Sequence, residues 1–176
     1  MNLTLDQLRA IMPFAGQRAE IFLASLNATM DEFGIDTPAR QAAFLAQVAH
    51  ESGSLRYTRE LASGAAYEGR EDLGNTEPGD GPRYRGRGLL QVTGRDNYRR
   101  CSLALYNDTQ HLLDHPEVLE LPDPACRSAG WFWLAHHLNE KADAGDFERI
   151  TRIINGGTDG EAARLAFYER AQKVLA

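Results

Sequence analysis

Apolar residues recur along most of the chain at three- and four-residue spacing, the pattern of one buried helix face. Thr4 followed by Gln7 forms a capping box, so "LDQLRAIMP" opens a short helix that Pro13 limits. A second helix covers about residues 17 to 33 and ends at Gly34. Thr37 caps a third, with Pro38 at its first position and Gly53 as its stop. Periodicity lapses from Gly64 to Gly94, where "EPGDGP" is turn-rich and "RYRG" and "LLQVT" are short and partly β-prone. Helical spacing resumes with Thr93 and Asp96 as an N-cap pair, and Asp123 before Pro124 caps a helix carrying "AGWFWLAHHL". Two more follow, "DFERITRII", stopped by "NGG", and "EAARLAFYERAQKVLA", whose Ala163, Phe167, Ala171 and Val174 share a face. The expectation is a mainly α single domain over residues 1–176, with a small glycine-rich, irregular or hairpin lobe at about 64–94 forming a cleft.

Composition narrows the function. At 176 residues, 43% of them hydrophobic, the chain can bury one real core. A net charge of -6 argues against a nucleic-acid partner, which would demand a basic face. Cys101 and Cys126 are too few for a disulfide framework and lack CxxC spacing, so a reduced compartment is expected. The start, "MNLTLDQLRA", has no basic segment followed by an apolar run, and no stretch approaches a membrane span. Synthesis and folding in the cytoplasm, without stable membrane insertion, are expected.

Candidate chemistry centres on "AHESGSLRYTREL", where Glu51 and Glu60 flank Gly53. Phe44, Val48 and Glu51 follow i, i+4, i+7 spacing, so the glutamate extends an apolar stripe. Partial burial and the carbonyl end of the helix both favour a neutral, proton-donating acid there. The alternative is a glutamate fraying into water. Glu60, among Arg56, Arg59 and Tyr57, reads by default as a solvated ion-pair partner. In one continuous helix the two would lie about 13 Å apart along the axis and on opposite faces. Gly53 permits the chain to turn back instead. Glycoside hydrolysis with inversion needs two carboxyl groups about 6.5–9.5 Å apart, leaving room for water. In "YRGRGLLQVTGRDNY", Gly86 and Gly88 allow close backbone approach, and Gln91 and Thr93 alternate along an expected strand, facing one groove. With Asn97 and Tyr98 they offer amide, hydroxyl and phenol groups suited to a sugar, or serve as caps of a structural hairpin.

The order "AHES", "YRGRGLLQVTGRDNY" and "INGG" resembles glycoside hydrolase family 19, over roughly residues 38 to 170. The "YEGREDLGNTEPGDGPRYRGRG" run looks like its phage and prophage branch, the endolysins. The resemblance implies a lysozyme-like fold with Glu51 as general acid, Glu60 as the base that activates water, and Thr93 as the hydroxyl that helps hold that water. It also implies sugar-binding or cleft-organising roles for Gln91, Asn97 and Asn155, a groove lined by Tyr67 and Arg70, and a charge-network role for Arg164. Chitinase members read "HETGG" where this chain has "HESGS", place the second glutamate much further along, and carry disulfides in plants. Those departures favour peptidoglycan over chitin, with Glu68 and Glu71 as fallback bases.

Other clusters compete. His111 and His115 at i, i+4 could bind zinc, giving an amidase or endopeptidase, but Pro116 follows and no glutamate stands next to His111. His136 and His137 are adjacent and point apart. His50 either supports the acid or is simply a satisfied buried histidine. Trp131, Phe132 and Trp133 read as core. Arg85 or Arg87 either meets stem-peptide carboxylates or braces neighbouring acids. The combined expectation is a peptidoglycan-cleaving glycosidase, with a chitinase as the alternative, needing no cofactor or metal and acting as a monomer on glycan strands. A separate membrane pore would release it to the wall.

Overall fold

A computed structural model describes residues 2–176. Ten α-helices carry the fold: α1 (Leu5–Ile11), α2 (Arg18–Glu32), α3 (Pro38–Glu51), α4 (Asp80–Arg83), α5 (Arg95–Tyr106), α6 (His111–Asp114), α7 (Pro122–Ala135), α8 (Leu138–Asp143), α9 (Phe147–Asn155) and α10 (Glu161–Leu175). Local chemistry sets several of their ends. Thr4 Oγ1 accepts from the Gln7 backbone N–H while Gln7 Oε1 accepts from that of Thr4, the reciprocal box expected of α1. Thr37 likewise caps α3 through the Arg40 N–H, with Pro38 at the first position.

Helix α3 is the axle of the molecule. Every residue from Gln41 to Ala49 is buried, which is why alanine alternates with larger side chains there: neighbours close in on all sides. Helix α10 packs along it, and α7 packs on α2. Gly130 makes the second approach possible, because a Cβ there would overlap the Phe33 ring and crowd Thr29. Trp133 meets Phe44 edge-to-face at 5.3 Å, and its indole N–H is satisfied by Asn139 Oδ1 at 2.9 Å. A second apolar cluster, built on Tyr84, Val92, Tyr98, Leu105, Leu112 and Leu119, lies beneath the glycine-rich segment.

That segment differs from the expected hairpin. Its order comes from 3₁₀ turns at Ala65–Tyr67 and Glu71–Leu73, short helix α4 and the isolated antiparallel bridges Arg59–Arg87 and Arg87–Val92; no longer ladder forms among the described residues. "LLQVT" is a tight turn, since Gln91 has φ 55° and breaks any alternation. Side chains hold the lobe instead. Arg95 clamps buried Asp80 through two bonds of 2.8 and 2.6 Å and lies over the Tyr84 ring. The fully buried Asn75 donates to the Tyr67 carbonyl and accepts from the Arg95 N–H.

Three further expectations are corrected. Helix α5 starts at Arg95 after Gly94, so Thr93 and Asp96 form no cap. Helix α7 starts at Pro122 after Leu121, so Asp123 lies in its first turn. The buried face of α10 is Arg164, Tyr168, Ala171 and Leu175, while Ala163 is exposed. Burying Arg164 turns that helix away from its purely apolar stripe. No helix among the described residues is long and apolar enough to cross a membrane.

Candidate active site

The chain breaks just past Glu51. Ser52 turns its hydroxyl back onto the Val48 carbonyl and accepts from the Leu55 N–H at 2.8 Å. The Ser54 N–H bonds to Ala49 O at 2.7 Å, closing the helix end. Gly53, Ser54 and Leu55 then take three consecutive left-handed conformations, with φ 56, 58 and 67°. Two of these are not glycine and cost on the order of 1 kcal/mol each, which burial of Leu55 in the main core offsets. The chain next runs antiparallel to the second lobe: Gly88 N–H donates to Thr58 O, and Glu60 N–H to Gly86 O at 2.9 Å. The uninterrupted rod that would have separated the two glutamates is absent.

Glu51 ends α3 with its side chain 21% exposed, against the guanidinium of Arg164, itself 2% exposed. Arg164 Nη1 donates to Gln47 Oε1 at 2.6 Å, and its Nε donates to Asp159 O. Gln47 lies one turn before Glu51 and donates its amide to Thr151 Oγ1 at 2.9 Å. The acid candidate is therefore tied to α10 and α9 by a buried polar chain. The expectation that burial and helix end alone surround Glu51 is incomplete, because Arg164 also sets its guanidinium against this side chain. His50 packs beside this chain, where a Cβ on Gly160 would overlap its ring. Burial, reinforced by Arg164 and opposed by Glu51, holds the His50 imidazole below its ordinary range, so it is neutral.

Glu60 is held differently. Its Oε2 accepts from the Tyr67 hydroxyl at 2.9 Å. Gly86 faces it: a Cβ there would overlap the Gln91 amide and stand 3.1 Å from Glu60 Oε2. Among the described residues, only four solvent-shielded side-chain polar atoms lack a hydrogen bond, and two are Glu51 Oε1 and Glu60 Oε1. The first contacts Arg164 as an ion pair without hydrogen-bond alignment. The second has no donor at all. A shielded acceptor without a donor is costly, so of the two carboxylates Glu60, with its unpartnered Oε1, is the less satisfied.

Gln91, Thr93 and Asn97 line one pocket of about 150 Å³ with Trp131, Phe132 and His136. Their convergence comes from the turn at Gln91 and from Asn97 Nδ2 donating to Thr93 O at 2.8 Å, and not from strand alternation. The pocket adds four residues not singled out for it, Val92, Trp131, Phe132 and His136. Trp133 is core, as expected, but Trp131 and Phe132 lie further round α7 and form a wall. A helix places adjacent residues about 100° apart, so "WFW" cannot bury all three against one core. Gln47 was also missed, although an amide amid "AFLAQVAHE" one turn from Glu51 is a visible signal.

The remaining candidates take other positions. Asn155 is the half-exposed last residue of α9, before left-handed Gly156. Arg70 is exposed and paired with Asp72 through bonds of 2.7 and 2.6 Å. Glu68 spends both oxygens on the Gly79 and Gly81 N–H groups, a structural duty that leaves it poorly suited to be a base, and Glu71 is exposed. Arg87 is buried against Glu120 and Tyr98, so it braces the lobe. The His111 and His115 rings are 6.1 Å apart; His111 packs on Tyr106, and His115 faces Glu117. No three His, Cys, Asp or Glu side chains converge as metal ligands among the described residues.

Comparison with known proteins follows the same lines. The chain is 30% identical over 175 residues to a glycosyl hydrolase family 19 domain-containing protein of Haemophilus influenzae, covering 82% of this chain and 84% of that protein. It is 39% identical over 118 residues to an endochitinase of Arabidopsis thaliana, spanning 66% of this chain but only 38% of the plant enzyme. Among solved structures, a bacterial family 19 chitinase superposes with a TM-score of 0.77 at 24% identity, covering 100% of this chain and 96% of that one. Chitinase C of Streptomyces griseus gives 0.76 at 23%, over 98% and 76%. At those identities the structural likeness speaks for the mainly α, lysozyme-like fold. No family model matches the sequence.

Proposed function

The chain belongs to glycoside hydrolase family 19, and from that premise we propose that it hydrolyses β-1,4 bonds between amino sugars of bacterial peptidoglycan, as an endolysin does. The observation that carries the chemistry is the pair of shielded carboxylates, Glu51 ion-paired with Arg164 and Glu60 held by Tyr67 with its other oxygen unpartnered. Glu51 protonates the leaving glycosidic oxygen, and the adjacent guanidinium stabilises the carboxylate that remains. Glu60 takes a proton from water attacking the opposite face of the sugar, which inverts the anomeric centre in one displacement. Thr93 steadies that water, while Gln91, Asn97 and Asn155 contact the glycan.

The preference for peptidoglycan rests on sequence. "HESGS" replaces the "HETGG" of the chitinases, the second glutamate follows after only nine residues, and no disulfide framework is available. Several curated relatives are chitinases, so chitin is the second reading. Digestion of purified peptidoglycan and of chitin oligomers, with mass spectrometry of the new reducing ends, decides between them. Muramic acid or glucosamine ends released from peptidoglycan are expected. Cleavage of chitin alone would make the protein a chitinase, and no new reducing end from either would overturn the glycosidase reading.

A further inference from the structure

Tyr67 has been treated so far as a groove residue, yet its hydroxyl is spent inside the protein. It donates to Glu60 Oε2 at 2.9 Å. Burial, the bond to Glu60 and that carboxylate's charge all push the phenol's ionisation upward, so Tyr67 is a donor across the working pH range. Its backbone is anchored. The 3₁₀ turn Ala65–Tyr67 ends on it, and its carbonyl accepts from Asn75 Nδ2 at 2.8 Å. Asn75 is fully buried and in turn accepts from the Arg95 N–H, where α5 begins. A continuous set of bonds thus runs from the start of α5 to one oxygen of Glu60.

The other oxygen of Glu60 has no donor. A carboxylate free to rotate would average its two oxygens between these environments. With the Tyr67 phenol on one side and Gly86 packed close on another, only Oε1 is left without a partner. We propose that Tyr67, anchored by Asn75, is a positioning residue for the base: it fixes which oxygen of Glu60 receives the proton from water and tunes how readily it does so. This rests on Glu60 being the base of the proposed reaction. The inference concerns a residue acting through Glu60 and requires no contact between Tyr67 and the glycan.

Tyr67→Phe tests it, because the ring and its packing survive and only the hydroxyl is lost. On the glycan that the digestion shows to be cleaved, kcat should fall about tenfold with KM unchanged, the effect of one hydrogen bond acting through a neighbouring group. The acidic limb of the kcat–pH profile should move up, since a carboxylate deprived of a donor holds its proton more tightly. Asn75→Ser, which shortens the anchor, should move the limb in the same direction by less. A direct readout needs no activity. The ¹³C carboxyl resonance of Glu60, assigned by its absence in Glu60→Gln, should titrate at higher pH in Tyr67→Phe than in the wild type. A raised KM with an unmoved limb and an unmoved resonance would make Tyr67 an ordinary glycan contact and overturn the proposal. A shifted resonance in a protein that cleaves no glycan would keep the Tyr67–Glu60 coupling and sink the assignment of Glu60 as the base.

Discussion

The two candidate carboxylates sit in opposite kinds of structure. Glu51 closes the most buried helix of the molecule and leans on Arg164, which reaches it from the last helix and is itself tied to Gln47 and, through it, to Thr151. Glu60 lies on an irregular segment and is held by a phenol seven residues away and by a glycine gap. Glu51 is tied to buried Arg164 at the end of the core helix, so disturbing it should cost stability. Glu60 lies beside a lobe whose backbone is ordered by side-chain bonds, so its replacement should disturb the fold little. The two carboxylates thus draw on two different sources of rigidity.

The sharpest way to break this comparison is to neutralise each carboxylate in turn. Glu51→Gln and Glu60→Gln should each lower kcat by about 10²- to 10⁴-fold, the usual worth of a general acid or base. Their stabilities should diverge. Glu51→Gln leaves Arg164 buried without its counter-ion and should lower Tm clearly. Glu60→Gln keeps an acceptor for Tyr67 and should unfold close to the wild-type temperature. Equal Tm values in thermal melts would erase the distinction between the two sites. Gly86→Ala comes next, because the new methyl overlaps the Gln91 amide and presses on Glu60. Activity should drop about 10- to 100-fold through misplacement of the reacting groups, with a small change in Tm, since Gln91 is half-exposed and can yield.

On the other side of the comparison, Gln47→Leu removes both bonds of the buried amide and leaves Arg164 Nη1 and Thr151 Oγ1 unpaired. A loss of about 2–4 kcal/mol is expected from two buried groups left unsatisfied, measured by chemical denaturation. An equivalent loss from Tyr67→Phe would show that the lobe is as tightly coupled to the core as α3 is.

The same contrast explains what the sequence reveals. Helix ends set within one turn were legible: the Thr4–Gln7 box, Thr37 before Pro38 and the stop at Gly53 all depend on residues three or four apart. The glutamates, the glycine-rich lobe and the pocket residues Gln91, Thr93 and Asn97 were legible as motifs. The contacts that organise them were not. Arg164 bonds to Gln47 117 positions away, and no local rule links them. The expected face of α10 was wrong because counting apolar residues ignores a buried arginine with a partner on another helix. The expected "LLQVT" strand failed because Gln91 adopts a left-handed conformation that its β-prone neighbours gave no reason to foresee. Even Tyr67, close to Glu60 in sequence, meets it only through turns whose left-handed Gly64 has no helical or strand period.

The mildest expected effect is the dependence of the acid site on pH through His50. Burial and the Arg164 charge keep its imidazole below the ordinary 6.5, while Glu51 pulls weakly the other way. The unfolded chain therefore binds a proton at a pH where the folded chain does not. Stability should be flat above pH 6.5 and decline as pH falls from there toward the folded value, because protonation then favours the unfolded state. His50→Gln should flatten that slope while leaving the plateau near neutral pH close to wild type. Denaturation midpoints measured between pH 5 and 8 provide the check. A slope that persists in the variant would assign it elsewhere, and the lobe is not the source: its buried carboxylate Asp80, held low by Arg95, gives up its contribution only when pH falls below the ordinary carboxylate range. A decline below pH 6.5 that vanishes with His50 would therefore trace acid sensitivity to the end of α3, where burial and the Arg164 charge act on the imidazole, and leave the Asp80–Arg95 pair untouched until lower pH.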